Sequence, residues 1–122
     1  MLIGVLIGES LRVGSELNSV PLQVTSVRRI EVASATDRQP RQWTLLDLPA
    51  PEGDAGRLAG ALADCLAPSG GWYVNYHTGA EAFVVFADRA FRYPRGNGAA
   101  RVTGEEDARS VGVPEPQRDW ED

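Results

Sequence analysis

The spacing of apolar residues changes several times along the chain, and each change marks an element. Leu2 to Ile7 is a continuous apolar run closed by Gly8, which predicts a strand covered on both faces and lying inside a sheet. From Leu22 to Val32 the apolar positions are Leu22, Val24, Val27, Ile30 and Val32. That period-two pattern slips once, and a β-bulge near Ser26 and Val27 would absorb the slip. Asp37 to Arg41, with Pro40, reads as a turn, and Trp43 to Leu48 as a third strand ending at Pro49.

The period then lengthens. Asp54 is a suitable N-cap for a helix running to about Ala67, with Leu58, Leu62, Cys65 and Leu66 on one face. Gly56, Gly60 and Ala63 line another face with almost no side chain, and Pro68, Gly70 and Gly71 end the helix.

Trp72 to Tyr93 returns to period two as three β-rich runs separated at Thr78-Gly79 and Asp88-Arg89, an antiparallel meander. Its alternation puts Trp72, Val74, Tyr76, Glu81, Phe83, Val85 and Arg92 on one face. Tyr73, Asn75, His77, Ala82, Val84, Phe86, Phe91 and Tyr93 fall on the other. With two-residue loops at both turns, Arg92 lies opposite Val85, about 13 Å along the strand from Glu81, so the two charges are not expected to pair. Thr103-Gly104-Glu105-Glu106 is a capping box that predicts a short second helix, closed by Gly112 and Pro114. The tail from Pro116 to Asp122 is acidic around Trp120.

These elements predict a single α+β domain over residues 1–122, with a mainly antiparallel sheet of about six strands and two helices, the longer packed on one face. Strand, helix and meander in succession are compatible with half of a ferredoxin-like split unit.

Composition narrows the class. The 122-residue chain is 43% hydrophobic and 24% charged, enough to bury a core without metal or disulfide staples. Its net charge of −5 opposes nucleic-acid binding, which needs the opposite balance. All 12 basic residues are Arg, a codon-bias signature that weakens any argument from the choice of Arg over Lys. A single cysteine, no basic stretch before the first apolar run and no apolar stretch near membrane-spanning length predict a cytoplasmic, membrane-free protein.

The segments Gly70-Gly71-Trp72-Tyr73-Val74, Phe83-Val84-Val85-Phe86, Phe91-Arg92-Tyr93-Pro94-Arg95-Gly96, Arg109-Ser110-Val111-Gly112-Val113-Pro114 and Asp119-Trp120 together resemble a set of short actinobacterial proteins with no activity attached to them. The likeness covers most of the chain from Trp43 onward. It implies an origin and a stand-alone polypeptide, and such proteins look like products of gene clusters that act on or with a neighbour.

Catalytic chemistry has thin material, with one His and one Cys in the chain. Cys65, between Leu62 and Leu66 on an apolar helix face, reads as a small core hydrophobe, and one His plus one Cys do not make a zinc site. No catalytic residue, metal or cofactor is expected. Tyr73, Asn75 and His77 form the best polar constellation; each also has an ordinary structural reading, His77 as an incidental surface His and Tyr73 as a core aromatic with a satisfied hydroxyl. Arg92 and Arg95 flank a glycine-containing loop, a candidate cradle for a small anion that matches no phosphate-loop pattern. Arg28 and Arg29, with Arg38 and Arg41, form a local basic patch.

Two functional expectations follow. In the first, the chain is a non-enzymatic accessory or interaction protein that uses an aromatic-rich sheet face, with Trp72, Tyr76 and Arg92 as anchors for a protein partner or a second copy. In the alternative it binds a small molecule, or is a modest enzyme, with a pocket around Tyr73, Asn75 and His77.

Overall fold

The computed structural model describes residues 1–18 and 20–95. The second helix expected from Thr103, the acidic tail with Trp120 and the loop beyond Arg95 lie outside them. The elements are β1 (Leu2–Ile7), β2 (Ser26–Glu31), β3 (Gln42–Ala50), α1 (Ala55–Cys65), β4 (Val74–His77), β5 (Glu81–Phe86) and β6 (Arg89–Pro94), with 3-10 turns at Gly8–Ser10 and Glu52–Asp54. The strands form two three-stranded antiparallel sheets, ordered β1-β3-β2 and β4-β5-β6, rather than one sheet. No parallel pair occurs among the described residues, so the ferredoxin-like split unit is not formed.

One helix joins the two sheets. Leu58 and Leu62 on α1 are each 1% exposed and pack in a single cluster with Leu2, Leu6, Leu48 and Ala50 of the first sheet and Val74, Tyr76, Phe83 and Val85 of the second. Burying a leucine side chain stabilises by about 1.5–3 kcal/mol, so this stripe is a leading source of cohesion between sheets with no ladder to each other. Asp54 makes no capping hydrogen bond with its side chain and instead holds Arg57. Cys65 is buried in the helix face.

The first sheet departs from the expected pattern in three places. Leu2–Ile7 is not covered on both faces: it alternates, with Leu2, Gly4 and Leu6 buried and Ile3 and Val5 exposed, on an outer strand of its sheet. A short apolar run leaves the two arrangements indistinguishable, because the run shows hydrophobicity and not what lies across it. The phase slip falls where β2 begins: Thr25 N–H donates at 3.0 Å to Asp47 O, although Asp47 lies opposite Ser26, so two consecutive residues address one. And β3 continues through Pro49 to Ala50.

Ladder geometry explains the tolerated proline. Val32 N–H donates to Arg41 O at 2.7 Å, and Thr44 N–H turns away from β2 to Glu9. By alternation, odd-numbered residues of β3 address β2 and even-numbered ones address β1. Pro49 therefore points its missing donor to the side where β2, whose first residue lies opposite Asp47, has already ended.

In the meander the predicted faces hold, but the register is displaced by two residues at each hairpin. Tyr76 lies opposite Phe83 and Arg92 opposite Phe83, with a two-residue loop at Ala87-Asp88 where Asp88 takes φ 63°. A slip of two preserves the side of every residue while changing its neighbours. Both faces are buried, one under α1 and the other in a cluster of Ala82, Val84, Phe86 and Tyr93 with Tyr73 and Phe91 against it. Among the described residues no helix is long and apolar enough to cross a membrane.

A third apolar cluster closes one end of the first sheet's outer face. Trp72 meets Trp43 edge to face at 5.2 Å, with Val32 beside them. Gly70 has φ 102°, and a Cβ there would lie 2.7 Å from Trp72 Nε1. Gly70→Ala should therefore lower stability by about 1–3 kcal/mol, measured by urea unfolding, whereas Gly60→Ala, exposed and uncrowded in the middle of α1, should raise it by about 0.5–1 kcal/mol. Tyr76→Phe should cost about 1–2 kcal/mol in the same assay, because the Tyr76 hydroxyl donates to Ala55 O at 2.6 Å in a buried setting.

Candidate functional site

The residues expected to form a sheet-face anchor do not share a surface. Trp72 and Tyr76 are 6% and 3% exposed, Trp72 in the tryptophan pair and Tyr76 stacked on Phe83 at 5.1 Å with its hydroxyl satisfied. Burial pushes the Tyr76 phenol well above its ordinary range, against the smaller opposing influence of Arg92. The face that carries them is covered by α1, so the aromatic-rich surface expected there is interior. Val74, Phe83 and Val85 are enclosed with it.

Arg92 is exposed, yet its charge is engaged. Its Nε donates to Glu81 Oε2 at 2.9 Å and its Nη2 to Glu81 Oε1 at 2.5 Å, while Cζ lies 5.0 Å over the Phe83 ring. This corrects the expectation that Glu81 and Arg92 are too far apart to pair: the shifted register places Arg92 diagonal to Glu81, within reach of a bidentate contact. The hydrogen bond from Arg92 holds the Glu81 carboxyl below the usual carboxylate range, and the same bond raises Arg92. Arg95 N–H donates to Ala80 O at 3.0 Å and its Nη1 reaches Thr78 O at 3.5 Å.

Tyr73 and Asn75 are half-buried and His77 is exposed, its Nδ1 lying 3.2 Å from Thr78 O. Tyr73 tilts against Phe86 at 6.3 Å. Two open recesses of about 450 and 430 Å³ occur elsewhere, one lined by Thr36 to Arg38 and Pro68 to Gly71, the other by Arg57, Glu81 and Arg92 beside the start of α1. Neither is lined by Tyr73, Asn75 or His77. In the second recess Arg57 holds Asp54 and Arg92 holds Glu81, so an incoming anion would have to displace a carboxylate.

Exposed apolar surface gathers instead on the β1-β3-β2 sheet. Ile3, Val5 and Ile30 are 62%, 40% and 37% exposed on its outer face, and Val27, on the opposite face of β2, is 62% exposed. Asp47 lies on the outer face between Val5 and Ser26. Its Oδ1 has no hydrogen-bond partner and is 4.0 Å from Arg28 Nη2.

Strand β2 itself is unusual: five of its six residues are exposed, on both faces. Val27, Arg29 and Glu31 turn their backbone groups to the open side, where no described backbone group meets them. Arg28 and Arg29 alternate to opposite faces and do not form one basic stripe.

Glu9 fastens this strand. Its Oε1 accepts from Thr44 N at 2.6 Å, and its Oε2 accepts from Thr44 Oγ1 at 2.8 Å and from Arg29 Nη1 at 2.9 Å. Arg29 Nη1 also reaches Thr44 Oγ1 at 2.5 Å. Partial burial pushes the Glu9 carboxyl up, but the Thr44 hydrogen bonds, aided by the Arg29 charge, outweigh it and leave the group below its ordinary value. Neither Glu9 nor the exposed sheet was singled out from sequence. Glu9 meets its partners across 20 and 35 residues of chain, a separation that leaves no local signal.

A lowered carboxyl pKa in the folded state adds stability that is complete above the unfolded value and disappears as pH falls through the folded one. Glu9→Gln should therefore lose about 1 kcal/mol at neutral pH and show a flatter decline in urea midpoint than the wild type as pH drops below the ordinary carboxylate range. Equal slopes would remove Glu9 from the account. No family model, curated protein or solved structure matches the chain.

Proposed function

We propose that this chain is a non-enzymatic interaction domain that binds a protein partner through the outer face and open edge of the β1-β3-β2 sheet. The observation that carries the reading is the exposure of Ile3, Val5 and Ile30 on one face of a sheet whose edge strand β2 meets no further strand among the described residues. Exposed apolar area costs solvation free energy that a partner's surface recovers, and an unpaired row of N–H and C=O groups is a ready template for another strand. Arg28, exposed beside Asp47, supplies a polar group next to this apolar surface.

This moves the binding surface from the meander, where Trp72 and Tyr76 serve the core, to the other sheet. The arginines at 92 and 95 then act in the fold, one closing over Phe83 and the other tying the chain after β6 to the Thr78–Ala80 turn.

The test is an affinity pull-down from the protein's own cell extract, read by native mass spectrometry, with the Ile3→Glu/Val5→Glu double variant beside the wild type. Both side chains face solvent, so the variant should keep its thermal midpoint within a few degrees. A stoichiometric protein retained by the wild type and reduced at least tenfold by the variant is the expected result. Equal retention by both excludes this face.

A further inference from the structure

We propose that β2 pairs edge to edge with β2 of a second copy of this chain, antiparallel, with Ile30 on the two-fold axis. The inference rests on the reading above that this sheet is a binding surface, and it names the occupant of the open edge.

A two-fold axis that joins identical edge strands antiparallel must stand perpendicular to the sheet, so each face continues onto the same face of the partner. Directly opposed residues then share a face, and the axis passes through a residue rather than between two. The ladder also requires the outward backbone groups of Val27, Arg29 and Glu31 to meet one another, which residue-centred registers satisfy.

Charge selects among these registers. Centring on Arg28 or Arg29 sets an arginine against its own copy, and centring on Glu31 opposes two carboxylates, each a destabilising pair. Centring on Val27 leaves Arg29 and Glu31 without charged partners across the axis. Centring on Ile30 sets Arg29 against the partner's Glu31 and repeats the pair by symmetry, while the two Ile30 side chains meet on the outer face and Arg28 lies opposite the partner's Val32. Among the registers of these residues, this one alone opposes unlike charges and brings no like charges together.

The monomer leaves these groups available. Arg29 holds Glu9 and Thr44 through Nη1 and keeps most of its side chain exposed. Ile30 and Glu31 are exposed. An edge strand protected against all pairing would carry charges that clash in every register; here the charges reject most registers and accept one.

Light scattering on the full chain across a concentration series, combined with a cysteine scan, tests the assignment. The wild type should reach twice its 13.2 kDa chain mass at high concentration, and Glu31→Arg, which turns both ion pairs into repulsions, should stay at the single-chain mass. Ile30→Cys should form an intermolecular disulfide under mild oxidation, because opposed residues at a non-hydrogen-bonded position lie within disulfide range. Arg28→Cys and Arg29→Cys should not. The native Cys65 is buried, so cross-linking reports the introduced thiol.

A wild type that keeps the single-chain mass at every concentration overturns the proposal, as does a dimer that survives Glu31→Arg or cross-links through residue 28 or 29. A wild type that stays at the single-chain mass while Ile3/Val5-dependent capture persists in the pull-down removes only the second copy as occupant. Capture indifferent to Ile3 and Val5 removes the broader reading.

Discussion

The apolar stripe of α1 is the constraint on which the rest of the molecule depends. Two three-stranded sheets that lie against each other along β1 and β4 but share no ladder need a side-chain reason to stay together. Leu58 and Leu62 supply one by entering the same cluster as Leu6 and Leu48 on one side and Phe83 and Val85 on the other. Because one helix serves both sheets, the residues that face it must be apolar on each, which uses up the meander's aromatic face. Tyr76 is fixed three ways there: it stacks on Phe83, donates to the helix start at Ala55 and lies over Gly4 of β1. Among the described residues, Ile3, Val5 and Ile30 stay exposed on the far side of the first sheet.

How much of this was legible in the sequence depended on how local the determining interaction is. The strands, α1 and the sidedness of every meander residue followed from period alone, since alternation is a property of consecutive residues. Register did not, because it is decided at the turns. Asp88 in a left-handed conformation places the loop one residue earlier than Asp88-Arg89 suggested, and that displacement brought Arg92 to Glu81. Burial was the least legible quantity. Leu2–Ile7 read as enclosed because every residue in it is apolar or glycine, while Trp72 read as available because its face carried more apolar surface than one helix was expected to cover.

The candidate surface was hidden for a related reason. Ile3 and Val5 looked like core, and Arg28-Arg29 looked like a basic patch until their opposite orientations and the Glu9 contact separated them. Nothing local links Glu9 to Thr44, or Gln39 to Gly70, whose carbonyl accepts from Gln39 Nε2 at 2.5 Å. Contacts of this kind arise only once β3 has been placed between its neighbours.

Pro49 sets a limit on what the open edge can become. Its nitrogen closes β3 to further pairing just beyond the point where β2 begins, so the outer strand cannot lengthen along its neighbour at that end. An assembly built on so short a ladder has few backbone bonds to draw on and falls toward the small, transient class of contacts. Its lifetime would be brief and its occupancy would follow how much of the protein the cell contains, so that abundance itself decides whether the surface is engaged or free.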